Sequence, residues 1–241
     1  RNLKTMSMKK ILYTTWAFAV ICLFLAGCTN LFEDMNRNPN QVTDEQMDVM
    51  NYKVGTKIRT LQGLVVPVEE HMYQFNESLS GGPLGGYIGS TVDTWLTKFE
   101  TFNPSADWRK WPFANVITEA YTPYKGIIKG TDDEVSLAYA KVLRVAIMHL
   151  VTDRYGPIPY SMMEYNESIY VEYDSQEEVY TKMFEELDEA IEIFRTNAAN
   201  DPAGFKRYDA VYYGNIEQWY KYANSLQLLM AKRHSEVKPA M

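Results

Sequence analysis

Residues 133 to 155 read DEVSLAYAKVLRVAIMHLVTDRY, and this stretch decides the fold. Two apolar stripes at helical spacing run along it. Val135, Ala138, Val142 and Val145 make one, and Tyr139, Leu143, Ala146 and Leu150 make the other. A helix with one stripe lies on a surface, whereas one with two must be covered on much of its circumference. The spacing therefore predicts a central helix packed from several sides. Gly156 stands where a C-cap glycine belongs, and Pro157 and Pro159 oppose any continuation.

Working outward, the same grammar repeats. Ser175-x-x-Glu178 has capping-box spacing and precedes Val179, Met183, Leu187, Ala190 and Phe194, one stripe of a 3.6-residue period. Ile216, Trp219, Ala223, Leu226 and Met230 form another stripe. Thr43-x-x-Gln46 and Thr131-x-x-Glu134 also have capping-box spacing ahead of apolar-periodic runs. Residues 112–129 pair naturally with 133–155, and no alternating strand rhythm is sustained anywhere. The expectation is an all-α chain of stacked helix pairs, without a clean 34-residue self-similarity. Between the helices lie Gly-, Pro- and Tyr-rich loops at 80–90 (SGGPLGGYIGS), 156–174 and 197–214, longer than passive connectors tend to be.

The first residues address a compartment. Lys9 and Lys10 precede an uncharged apolar run over 11–27, which ends in Leu25-Ala26-Gly27-Cys28. A basic start, an apolar stretch and small residues before a cleavage point make a secretory signal. The Leu-Ala-Gly-Cys tetrad resembles the lipobox of bacterial lipoproteins, in which the cysteine is acylated and the chain cut before it. The other reading is a retained transmembrane helix, but the run is at the short edge of the ~20 residues a span needs, and no Lys/Arg cluster follows. The expected organisation is a signal over 1–27 starting naturally at Met8, an extended Asn-rich tether over 28–42, and a helical domain from 43 to 241. An anchor of two or more acyl chains would hold the protein stably at the membrane.

Composition excludes several functions. Loss of residues 1–27 removes Arg1, Lys4, Lys9 and Lys10, taking the net charge from −7 to −11. Such a surface disfavours nucleic acid as a partner. With Cys22 lost and Cys28 acylated, no thiol is left for disulfides or thiolate chemistry. His71, His149 and His234 form no metal-ligand spacing, so neither a metal nor another cofactor is expected. The glycines at 81–89 lack the Gly-Lys-Ser/Thr ending of a phosphate loop, and no serine sits in a G-x-S-x-G elbow. The acid pairs Glu69/Glu70, Asp132/Asp133, Glu177/Glu178 and Glu185/Glu186 read as solvated or helix-terminal groups rather than opposed glycosidase carboxylates. His149 and Asp153, four apart, read as a hydrogen-bonded helical pair.

Four stretches in order resemble one family. They are Phe32-Glu-Asp-Met-Asn36-Arg-Asn38-Pro39-Asn40; Ala140-Lys-Val-Leu-Arg144 running on to Asp153-Arg-Tyr155-Gly156-Pro-Ile-Pro159-Tyr160; Tyr173-Asp-Ser175 leading into Glu186-Leu187-Asp188-x-Ala190; and Trp219-Tyr-Lys221-Tyr-Ala223-Asn224-Ser225-Leu226, ending at Ala231-Lys-Arg233. The chain is similar from Cys28 onward to the SusD/RagB-like lipoproteins, the nutrient-binding surface proteins of glycan-uptake systems. The resemblance implies tetratricopeptide-like helix pairs, no catalytic activity, and a SusC-like TonB-dependent outer-membrane transporter as partner, with the lipoprotein as its lid. It also implies that this sequence is the N-terminal half of a longer protein. Arg144, Asp153, Asn224 and Arg233 read as buried polar clasps between helices.

Aromatic content is high, with 18 Tyr, 10 Phe and 5 Trp, more rings than a core readily hides. Tyr87, Trp95, Trp108, Arg109 and Trp111 concentrate in non-periodic sequence and form the candidate surface for an oligosaccharide. Sugar C–H faces stack on rings while hydroxyls bond to Asn, Asp and Arg. The competing reading makes Trp95 and Trp111 core anchors and leaves only Trp108 exposed; for each ring taken singly, burial is the stronger expectation. A peptide or another nutrient in the same lid architecture is the alternative ligand.

Overall fold

The central helix forms where the two stripes place it. The computed structural model describes Tyr13, Trp16 and residues 42–43, 46–47, 49–91, 98–164, 170–198 and 205–235. Contacts divide the chain into residues 1–46 and 47–241. Within the first unit, Tyr13 and Trp16 are helical and exposed. Thr43 and Gln46 exchange bonds as a capping box should: the Thr43 amide donates to Gln46 Oε1 at 3.0 Å, and the Gln46 amide to Thr43 Oγ1 at 3.3 Å. Cys28 and most of the expected signal and tether lie outside the described residues.

The second unit is helical throughout its described elements. Helix α1 is Tyr52–Val65. A composite helix, α2, covers 70–84 and is π-helical over Gln74–Gly81. A second composite, α3, covers 106–128, with a π-helical turn at Trp111–Asn115. Pro112 sits in that turn, where a wider helical ring accommodates a residue with no N–H to give. Helix α4 is Glu134–Tyr155, α5 is Gln176–Thr196, α6 is Phe205–Tyr208 and α7 is Ile216–His234.

The long helices pack in chain order: α1 on α3, α3 on α4, α4 on α5, α5 on α7, with α1 also reaching α4. Fifteen residues of α4 are buried, including seven of the eight stripe positions. By length and composition α4 could cross a membrane, but its apolar window is mostly covered by protein, as a core helix requires. Val179, Met183, Leu187, Ala190 and Phe194 are all fully buried. Ile216, Trp219, Ala223, Leu226 and Met230 are the buried set of α7. The Tyr139 ring meets Phe194 at 5.0 Å and Trp219 at 5.1 Å, edge to face, tying α4, α5 and α7 into one core.

Local signals hold with one shift. Ser175 and Glu178 form the full capping box of α5. For α4 the cap is Asp133, whose Oδ2 accepts from the Ser136 amide at 2.8 Å, while Thr131 accepts from the Asp133 amide at 3.1 Å. The carboxylate is the better acceptor for a helix start and takes the role assigned to Thr131. Gly156 adopts φ +73°, a backbone that disfavours a side chain, and its N–H closes α4 on Thr152 O at 2.8 Å.

The polar clasps divide. Arg144 is buried and ion-paired with Glu164 and Glu186. Glu186 is only 4% exposed, so the expectation of a solvated Glu185/Glu186 pair is corrected for its second member. Its position on the inner face of α5, opposite Arg144, is what buries it. Arg233 pairs with Asp153, joining α7 to α4, but at a solvent-accessible position. Asn224 donates to Tyr220 O on its own helix at 2.8 Å and is no interhelical clasp.

His149 Nδ1 lies 3.0 Å from Val145 O, rather than on Asp153 as spacing suggested. Burial holds this imidazole below its ordinary value. The folded protein therefore binds fewer protons than the unfolded chain between the lowered value and about 6.5, and stability rises with pH across that window. We expect the melting temperature to fall as pH drops below ~6.5, and His149→Gln to flatten that part of the profile. An identical slope in both proteins would remove His149 as the cause.

Candidate functional site

The aromatic surface is built on the two π-helical segments. Phe75, in the first, stacks on Trp111, in the second, with ring centroids 5.4 Å apart and planes 4° from parallel. Trp108 extends the row, edge-on to Phe75 at 6.0 Å and stacked on Phe99 at 6.3 Å. His71 closes the far end against Trp111 at 5.2 Å. π-Helical insertions are frequent at functional sites, and here two such segments, one of eight residues and one of five, carry facing rings.

Trp108 is half-buried and forms one wall of a hollow of about 300 Å³, at the small end of the range for small-ligand pockets. The last turn of α2 supplies Pro83 and the loop after it Ile88 and Gly89, and Lys98 and Glu100 give the hollow charged edges. Glu100 also accepts from the Ser90 amide at 2.9 Å, pinning the loop to the rim. Tyr87, on the same loop, is 88% exposed, the most open of the predicted rings among the described residues.

The predicted residues are thus only partly assembled. Trp108 and Trp111 share the row through Phe75, and Tyr87 stands on the loop flanking the hollow. Both tryptophans are half-buried, so neither the exposed-platform reading of Trp108 nor the core-anchor reading of Trp111 describes its position in full. Trp95 lies outside the described residues. Arg109 is separated from its neighbour Trp108. One residue along a helix turns the side chain by about 100°, and Arg109 lines a different hollow with Phe113, Tyr155 and Tyr173. Sequence reasoning missed Phe75, Phe99 and that second hollow. Only the Tyr155-Gly156-Pro157 exit pointed toward it.

The remaining hollows are of other kinds. An apolar one of about 230 Å³ lies beside Leu64, Val65, Met72 and Ile147, capped by Arg154, which bonds Asn76 O at 2.6 Å and Glu77 at 3.1 Å. A polar one of about 540 Å³ is edged by Asp174, Glu177, Glu178, Lys182 and Glu185. No group of three or more His, Cys, Asp or Glu side chains is arranged to hold a metal among the described residues. The raised tyrosines all owe their shift first to burial; Tyr160, beside Arg144 and Glu186, is pushed well above the usual phenol value.

A family model for SusD-like proteins, the SusD and RagB outer membrane lipoproteins, matches residues 34–241. The chain belongs to the SusD-like family. Among solved structures it is similar to a SusD homologue of Bacteroides thetaiotaomicron, at 48% identity and a TM-score of 0.70, over 77% of this chain and 38% of that one. A SusD homologue of Bacteroides ovatus is 37% identical with a TM-score of 0.70, over 77% and 37% of the two chains. A chitin-binding SusD homologue of Flavobacterium johnsoniae is 30% identical with a TM-score of 0.63, over 79% and 40%. The SusD-like chain described here therefore spans less than half the length of these relatives. No curated protein matches it. The all-α fold is the one these relatives share.

Proposed function

We propose that this SusD-like protein is an outer-membrane lipoprotein, anchored through Cys28 at the cell surface, that binds oligosaccharide nutrients and passes them to a SusC-like TonB-dependent transporter. It binds and releases its ligand without turning it over. The observation that carries the ligand class is the row of rings from His71 through Trp111, Phe75 and Trp108 to Phe99, opening at Trp108 on a hollow beside the exposed Tyr87. A similar protein that binds chitin supports the same class. Flat apolar faces flanked by Lys98 and Glu100 suit a pyranose, which offers C–H groups on one face and hydroxyls at its edge.

Cys28→Ala should leave the precursor uncut or release the protein from the membrane fraction. A Cys28→Ala chain found shortened and still membrane-bound would sink the anchor assignment.

The ligand surface is tested by calorimetric titration of oligosaccharides into the full-length protein. Tyr87→Ala should weaken binding by about 1–2 kcal/mol with no change in melting temperature, because that ring packs against little. Trp108→Ala should weaken binding by at least as much and also lower the melting temperature, since it removes a partner of Phe75 and Phe99. Undiminished affinity in both variants would move the site elsewhere on the protein.

A further inference from the structure

A second ring-lined hollow lies at the end of α4. Its volume is about 390 Å³, and its walls are Phe113, Tyr155, Pro157 and Tyr173, with Ala106 and Ala114 at the base and Arg109 and Lys110 at the edge. The rings converge rather than lie flat: Phe113 meets Tyr155 at 5.0 Å and 62°, and Tyr173 at 5.9 Å and 41°. Tyr173 is 58% exposed, so one ring face is open to solvent. The wall is firmly held, because Tyr155 OH donates to the Arg109 carbonyl at 2.8 Å and Gly156 fixes the chain at the helix exit.

Its charge runs against the rest of the molecule. The chain is acidic overall, yet among the described residues no carboxylate lines this hollow. Arg109 and Lys110 are both exposed, and neither makes an ion pair among the described residues. Arg154, next in sequence to Tyr155, is turned away and bonded to Asn76 and Glu77. Two cations beside open rings, with no counter-charge paired to them among the described residues, are chemistry for a ligand that brings both an apolar face and an anion. A guanidinium offers a planar fork that matches a carboxylate or sulfate ester, and the ammonium adds a second point charge.

We infer that this hollow, formed by Phe113, Tyr155 and Tyr173 with Arg109 and Lys110, is a binding subsite for a negatively charged sugar unit, one carrying a carboxylate or sulfate group. The pyranose stacks on Tyr173 and its anion reaches Arg109 and Lys110. The inference rests on the oligosaccharide reading above, and adds a charge requirement and a place to it. A hollow separate from the Trp108 row lets one chain of sugars engage the surface at two points.

The test is titration of the full-length protein with three tetrasaccharide probes of equal length: tetragalacturonate, a chondroitin sulfate tetrasaccharide and neutral cellotetraose. At low ionic strength at least one anionic probe should bind ten-fold or more tighter than the neutral one, with the preference shrinking as salt is raised. Arg109→Ala and Lys110→Ala should each reduce that preference several-fold while melting as the parent does, since both side chains are exposed. Tyr173→Ala should weaken the anionic probe as well. A carboxylate source is indicated if tetragalacturonate leads, or if the chondroitin fragment leads and keeps its affinity after desulfation; a sulfate source is indicated if desulfation abolishes that lead. Neutral and anionic probes binding alike would overturn the inference and leave the oligosaccharide reading standing. Anionic preference untouched by Arg109→Ala and Lys110→Ala would also overturn it. Binding of none of the probes nor of any other oligosaccharide would defeat both readings, and tighter binding of a poly-glutamate peptide than of any sugar would replace the ligand class.

Discussion

Arg144→Met is expected to cost about 3–5 kcal/mol of stability, read by urea denaturation. Arg144 is 3% exposed and sits between two rings, with its guanidinium carbon 4.3 Å from the Tyr124 centroid and 4.6 Å from that of Tyr160. It pairs with Glu164 at 2.5 Å and with Glu186. Glu186 also accepts from Tyr160 OH at 2.7 Å. Burial works against the arginine's charge, but Tyr160 and Glu186 more than offset it and hold its pKa well above the ordinary value. Methionine would fill the space and leave two carboxylates facing each other without a cation. The loss then comes from the uncompensated anions, so Arg144→Met combined with Glu186→Gln should recover part of it. A single-variant loss below about 1 kcal/mol would show that the cluster is hydrated and weakly coupled.

Asp209→Ala should be comparably severe, at about 4 kcal/mol, for a different reason. Asp209 is 1% exposed. Its Oδ1 accepts from Gln62 Nε2 at 2.8 Å and from the amides of Val211 at 2.9 Å and Tyr212 at 3.2 Å. Its Oδ2 accepts from the Gly214 amide at 2.8 Å and Trp219 Nε1 at 2.7 Å. One carboxylate thus ties α1, the turn before α7 and α7 itself. Alanine would strand those donors, whereas Trp219→Phe strands none and should cost only about 1–3 kcal/mol. Equal losses from Asp209→Ala and Trp219→Phe would mean that the indole contact alone carries the effect.

The contrast between these residues shows what could be read from the chain. Stripes such as Val179 to Phe194 are legible because burial of a helix face repeats every three or four residues and needs no knowledge of the partner. Capping at Ser175 is legible for the same reason, since both members lie within one turn. Arg144 stood out as a charge on an apolar helix, but its partners Glu164 and Glu186 lie 20 and 42 residues away, and nothing local distinguishes Glu186 from the solvated Glu185. Asp209 carries no local signal, since Gln62 and Trp219, which donate to it, lie 147 and 10 residues away. The aromatic surface was half legible. The density of rings at 87–111 was visible, whereas the Phe75 pairing depends on two π-helical segments meeting, and the split of Trp108 from Arg109 depends on helical phase.

The role proposed for this surface is to take sugars. The most direct measurement is calorimetric titration of the full-length protein with a panel of oligosaccharides and, in parallel, a panel of peptides of similar size. Saturable binding of at least one oligosaccharide, weakened by Tyr87→Ala, is expected, with no comparable binding of any peptide. Saturable binding of peptides with no response to any oligosaccharide would contradict that role.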